Sequence, residues 1–184
     1  MDIGLLALHL IVGLLFVGHG LQKLTGAFGG HGLEGTAGFF ESQLGLRPGR
    51  PQAIAAGLAE TVGGALLALG LFTPIAAAIL VAVMVTAALT AHAGKGLWVT
   101  EGGVEYVMVN GTVAFALAAV GPGEVSLDYA FGLEMAGLGW ALGALAIGAI
   151  GGTLAVVAGR NAWLEPRRPA TRPRRDHHRP IQQG

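Results

Sequence analysis

Five apolar stretches govern what this chain can fold into: Leu5–Leu24, Ala53–Phe72, Ile75–Ala93, Val104–Val120 and Gly137–Ala158. A membrane-crossing helix needs about 20 mostly apolar residues, and it satisfies its backbone polar groups internally where no water can. Composition points the same way. Hydrophobic residues make up 53% and charged residues 12%, and the charged share is about half that of an average soluble domain. Eleven basic residues balance eleven acidic ones, and a water-exposed globule this apolar with no net charge would tend to precipitate. The pattern argues against a disordered or nucleic-acid-binding chain. The absence of Cys excludes disulfides, thiol chemistry, Cys-based zinc sites and iron–sulfur clusters held by this chain alone.

The first stretch has no basic leader and no small-residue cleavage pattern, and Lys23 stands at its far end, so it reads as a retained helix rather than a signal peptide. Between the second and third stretches, Thr73 is expected to cap and Pro74 to take the first helical position, closing an antiparallel hairpin. In the Gly-rich first connection, Leu33, Ala37, Phe40 and Leu44 recur at helical spacing, with Glu34 and Glu41 off the stripe. A short interfacial helix and a flexible loop both fit. In the last stretch, Gly139-x-x-x-Gly143 and Gly148-x-x-x-Gly152 offer close-packing faces, for packing within the chain first and for a homo-oligomer second.

Basic residues set membrane orientation. Five spans put Lys23, Arg47, Arg50, Lys95 and the seven Arg from Arg160 to Arg179 on one side, and Glu124, Asp128 and Glu134 on the other. The expectation is a multi-pass protein of a bacterial inner membrane, N-terminus outside and C-terminus cytoplasmic. Residues 161–184 are Pro- and Arg-rich and are expected to form a disordered tail attracted to anionic lipid. The adjacent His177 and His178 are weak as a metal site, and no metal-ligand spacing stands out elsewhere.

Charged groups inside a span cost several kcal/mol and usually face a partner or a cavity. His19 and Lys23 end the first span, Glu60 lies about 12 Å into the second at 1.5 Å per residue, His92 ends the third and Glu105 opens the fourth. Because the helices alternate direction, all five lie at one side or the centre. His19 and Lys23 share a face; Glu60 is the first candidate to neutralise a cation, and Glu105 is a second. His19, Lys23, Glu60, His92 and Glu105 are therefore the candidate ligand-binding or proton-exchanging residues. They form either a polar head-group pocket for a quinone-like amphiphile or a charge-paired plug that fixes helix packing. His9, alone among apolar neighbours, reads as a packing histidine. The Gly30-His31-Gly32-Leu33-Glu34-Gly35 match to a dinucleotide-binding loop is rejected, because it follows a membrane helix and not a strand. Haem is the less favoured cofactor: His19 and His92 could qualify by depth, but two His are common by chance.

These residues carry a family resemblance. Gly18-His19-Gly20-Leu21-Gln22-Lys23-Leu24 with Phe28-Gly29-Gly30 resembles the first-helix signature of the DoxX family. Glu60 with Gly63-Gly64 and Leu69-Gly70-Leu71-Phe72-Thr73-Pro74 resembles its second-helix pattern, and His92, Gly121-Pro122-Gly123 and Ser126-Leu127-Asp128 continue the likeness. The similarity spans roughly residues 4–130. It implies an all-α, four-helix bundle in the bacterial inner membrane. This chain departs from it by a fifth hydrophobic stretch and an Arg-rich tail. The expected organisation is a DoxX-like four-helix core over 1–130, an additional membrane helix over 131–160, and the tail over 161–184.

The family is associated with a quinone-linked thiosulfate-oxidising membrane subunit, and with a membrane partner of superoxide dismutase and a sulfurtransferase in oxidative stress. The resemblance thus implies a redox-linked membrane protein, with quinone as the possible cofactor. Two further readings stand beside it: a non-catalytic scaffold recruiting soluble redox enzymes to its cytoplasmic face, and a small transporter, although no inverted repeat is visible. Whether the protein is an enzyme is open.

Overall fold

The computed structural model describes residues 2–161, and among these every regular element is helical. In chain order they are α1 (Asp2–Thr25), α2 (Gly32–Ser42), α3 (Gly49–Leu69), α4 (Thr73–Leu89), α5 (Glu105–Val120), the one-turn α6 (Leu127–Ala130) and α7 (Leu138–Asn161). Three of them, α1, α3 and α7, are long and apolar enough to cross a membrane; α4 and α5 are shorter apolar helices of 17 and 16 residues. The expected tail lies outside the described residues, as do His177 and His178.

Hydrogen bonds tie the ends of the helices into two opposite poles. At one pole Asp2 Oδ1 accepts from Glu124 N (3.2 Å) and Gly137 N donates to Ala119 O (3.0 Å). At the other, Arg47 N donates to Gly159 O (2.9 Å) and Arg160 Nη2 donates to Leu89 O (3.0 Å). The chain therefore traverses the bundle five times, and its described ends lie at opposite poles. Lys23, Arg47, Arg50, Lys95 and Arg160 all fall at the second pole. Exposed aromatic side chains mark both poles: Phe28 and Trp98 at the second, Tyr129, Phe131 and Trp140 at the first. Aromatic residues favour the two membrane–water interfaces. Between these girdles Ile11, Leu14, Ile147, Ile150 and Leu154 stand exposed, an apolar surface suited to hydrocarbon rather than water.

Glycine decides which helices touch. A Cβ on Gly13 of α1 would stand 2.5 Å from Ala68 N and 2.6 Å from Gly64 O on α3, so only Gly permits this backbone-to-backbone seam. The same logic separates the two small-residue motifs of α7. Gly148 and Gly152 press on α4, where a Cβ on Gly148 would meet Ala78 O at 2.7 Å, whereas Gly139 and Gly143 face open space. Thr86 Oγ1 adds an interhelical bond to Gly152 O (3.2 Å). In α2, Ala37 and Phe40 pack with Leu46 and Ala53, with Leu33 and Leu44 against them. The first connection is thus a helix over the second pole and not a flexible loop.

Two expectations at the helix ends are corrected. The third apolar stretch, expected to run to Ala93, ends as a helix at Leu89, and Thr90 is its C-cap. In the hairpin, Thr73 is the first residue of α4 and the capping position falls on Phe72, which offers no side-chain acceptor. The cap comes from Asp128, fully buried 55 residues further on. Its Oδ1 accepts from Phe72 N (2.7 Å), and its Oδ2 from Thr73 N (2.9 Å) and Thr73 Oγ1 (2.8 Å). A carboxylate there satisfies orphan N–H groups and complements the helix dipole. Gly70, at φ +56, supplies the left-handed turn that closes α3.

Candidate functional site

Half-way along α3 the sequence places a carboxylate among apolar and small residues, and the fold leaves it 5% exposed. Glu60 Oε2 accepts from Lys23 Nζ on α1 at 2.6 Å, and the two side chains are 7% and 25% exposed. The pair is reachable only because α1 and α3 approach so closely. Gly20 meets Gly57 and Thr61 on α3 one turn from Lys23, and Lys23 is long enough to reach inward from the end of its helix. A charge this buried persists only when paired.

Beside the pair, His19 joins α1 to α5. Gln22 Oε1 accepts from His19 Nδ1 (3.2 Å), and His19 Nε2 lies 3.2 Å from the Tyr106 hydroxyl. With Nδ1 as the donor, neutral His19 offers Nε2 as acceptor for the Tyr106 O–H. The rings meet edge-on, 6.2 Å between centroids. Asn110, one turn along α5, is buried and donates Nδ2 to Tyr106 O (2.9 Å). Gln22 Nε2 also donates to Phe28 O (3.2 Å), fixing the chain as it leaves α1. Lys23, His19, Glu60, Tyr106 and Asn110 thus come from α1, α3 and α5 toward one half of the bundle.

The other two sequence candidates are placed elsewhere. His92 Nδ1 donates to Gly102 O (2.6 Å), and Glu105 Oε2 accepts from Val99 N (2.9 Å). Both order the connection between α4 and α5 and make no hydrogen bond or ion pair to Lys23 or Glu60. Among the described residues there is no group of three or more His, Cys, Asp or Glu able to hold a metal ion.

Tyr106 and Asn110 are what reading the sequence for charge leaves out. Adjacent helical residues point about 100° apart, so Glu105 and Tyr106 cannot both face α1. Charge favours Glu105, but the face belongs to Tyr106. The i, i+4 spacing of Tyr106 and Asn110 was the available signal. His9, at the other pole, donates Nδ1 to Leu67 O (2.6 Å) and is 2% exposed; it ties α1 to the end of α3. A concavity of about 460 Å³ lies apart from the polar cluster. It is an open apolar groove between α4, α5 and α7, lined by Val81, Met84, Val107, Gly111, Phe115 and Leu145 among others.

A bundle of apolar helices with aromatic girdles and a buried ion pair in one half defines a helical membrane protein, with a lipid bilayer as its surroundings. Residues 4–93, the segment that holds α1 to α4 and the Lys23–Glu60 pair, match the DoxX family model. The match ends just past His92, short of α5, α6 and α7. No curated protein and no solved structure matches the chain.

Proposed function

We propose that this protein is a redox-linked DoxX-family protein of the bacterial inner membrane that binds a quinone head group at the Lys23–Glu60 and His19–Tyr106 cluster. The observation that carries the reading is the Lys23–Glu60 contact at 2.6 Å, buried among membrane helices beside a histidine and a phenol. A quinone head group offers carbonyl oxygens and needs donors. Lys23 keeps N–H groups beyond the one given to Glu60, and the Tyr106 hydroxyl can turn toward a ligand. Its reduction to the quinol takes two electrons, which a redox-enzyme partner would have to supply, and two protons, which Glu60, His19 and Tyr106 are groups able to hold and pass. His92 and Glu105 act on the site by fixing where α5 begins. The basic pole faces the cytoplasm under the positive-inside rule, which leaves the N-terminus outside. A role in oxidative-stress or sulfur redox metabolism would follow from that chemistry, with any thiol supplied by a partner.

The test is solvent extraction of the purified full-length protein and chromatography of its quinone, with Glu60→Gln and Tyr106→Phe beside the wild type. Quinone near stoichiometric in the wild type and depleted in both variants supports the site. None in any of them removes it.

The scaffold reading is favoured by a different observation: the ion pair is closed on itself and lies apart from the α4–α5–α7 groove. On that reading the pair is a packing plug, and soluble redox enzymes bind the basic pole. Crosslinking with and without residues 162–184 that recovers the same specific redox enzyme only from the full chain would support it.

A further inference from the structure

The polar cluster sits at the end of a seam that opens sideways into the bilayer. Leu8, Val12, Leu15 and His19 share one face of α1 by their spacing, and Tyr106, Val109, Val113 and Leu117 share one face of α5. The His19–Tyr106 bond, 3.2 Å, turns these two faces toward each other. Helices α1 and α5 otherwise meet sparsely, unlike the glycine-tightened α1–α3 seam. The inner wall is closed, with Val12 8% and Leu117 2% exposed; the outer lips are open, with Leu15 42%, Leu8 44%, Val109 57% and Tyr106 37% exposed.

Polarity along the seam is graded. His19 and Tyr106, with Lys23 behind them, occupy the second pole. From there toward the bilayer centre each face carries only Leu and Val. That order matches an amphiphile with a hydrogen-bonding head and one long apolar tail, its head at the pole and its tail in the hydrocarbon.

Resting on the head-group site proposed above, we infer that the ligand enters laterally from the lipid between α1 and α5, its tail along Leu8, Leu15, Val109 and Val113, with the His19–Tyr106 bond as the latch across the mouth. The α4–α5–α7 groove is not the route. Its α5 residues Val107, Met108, Gly111, Thr112 and Phe115 centre on the side of the helix roughly opposite the centre of the Tyr106, Val109, Val113 and Leu117 face at 100° per residue, so the tail of a head group beside Lys23 would have to pass around α5 to reach it.

The experiment uses the full chain in lipid nanodiscs with a benzoquinone carrying a photoreactive diazirine on its isoprenoid tail, competed by the same quinone without the diazirine. Competable labelling of peptides containing residues 8–15 and 109–117 is the expected result. Competable labelling confined to the Val81, Met84 and Leu145 groove, or labelling spread evenly over lipid-facing helices, overturns the route while the extraction assay still reports a bound quinone. No competable labelling together with no extractable quinone removes the head-group site itself, and the route with it. A second measurement needs no label: Leu15→Trp and Val109→Trp narrow the mouth without touching the polar cluster. They should slow quinone exchange about fivefold or more, as gating substitutions do. Ile147→Trp, on the lipid face of α7, is the control. Exchange as fast as the control in both seam variants overturns the inference.

Discussion

Removing one member of the Lys23–Glu60 pair should cost far more than removing both. At 2.6 Å and an effective dielectric constant near 20, the attraction is of order 6 kcal/mol. Burying both charges costs several kcal/mol each, so the pair as a whole adds little net stability. Lys23→Met alone leaves Glu60, 7% exposed at its side chain, without its counter-charge. The expected loss is about 3–5 kcal/mol, and the same holds for Glu60→Leu. The double variant Lys23→Met/Glu60→Leu should lie within about 1 kcal/mol of wild type, since an apolar pair of similar volume replaces a desolvated one. Thermal unfolding in one fixed detergent, followed by circular dichroism across all four proteins, gives the coupling energy. Single variants that unfold like wild type, or a double variant as unstable as the sum of the singles, would refute the reasoning. The double variant also separates two roles: if it is stable yet holds no quinone, the charges serve the ligand; if it is stable and retains it, they serve only the packing.

Further outcomes follow from other contacts. Asp128→Asn replaces an acceptor by an N–H facing the donors of Phe72 and Thr73, and should destabilise the protein by about 1–3 kcal/mol in the same assay. Thr73→Ala, which removes one of the three bonds, should cost about 1 kcal/mol. On α7, Gly148→Leu forces a side chain against Ala78 and Val81 and should cost about 1–3 kcal/mol or more, whereas Gly143→Ala, facing open space, should stay within about 0.5 kcal/mol. The chain has no Cys, so single cysteines report topology directly. An impermeant maleimide on intact cells should label Val125→Cys and spare Gly94→Cys; the reverse pattern would invert the proposed orientation.

Much of the architecture was legible in the sequence because a bilayer allows so few solutions. Apolar length gave the five segments, and the basic residues gave their common pole. Leu33, Ala37 and Phe40 of the expected stripe lie on α2, and Leu44 falls just past its end, although spacing alone left a loop equally open. Spacing put the candidate residues at one depth, which is all that helix direction can give. It could not say which side of each helix faced which neighbour. His92 and Glu105, expected at the depth of Lys23, bond within their own connection, and Tyr106 rather than Glu105 takes the face toward α1.

By itself the sequence determined the class of protein, the number of traverses and the pole that carries the basic residues. These follow from length, hydropathy and charge, which act locally or against the solvent. Tertiary structure alone decided the contacts: Glu60 with Lys23 across a glycine seam, Tyr106 with His19, Asp128 capping a helix 55 residues earlier in the chain, and one Gly-x-x-x-Gly of α7 packed while the other stays open. Each depends on the rotation of one helix against another. That rotation is set by small residues on two distant segments meeting at once, a condition no single stretch of sequence contains.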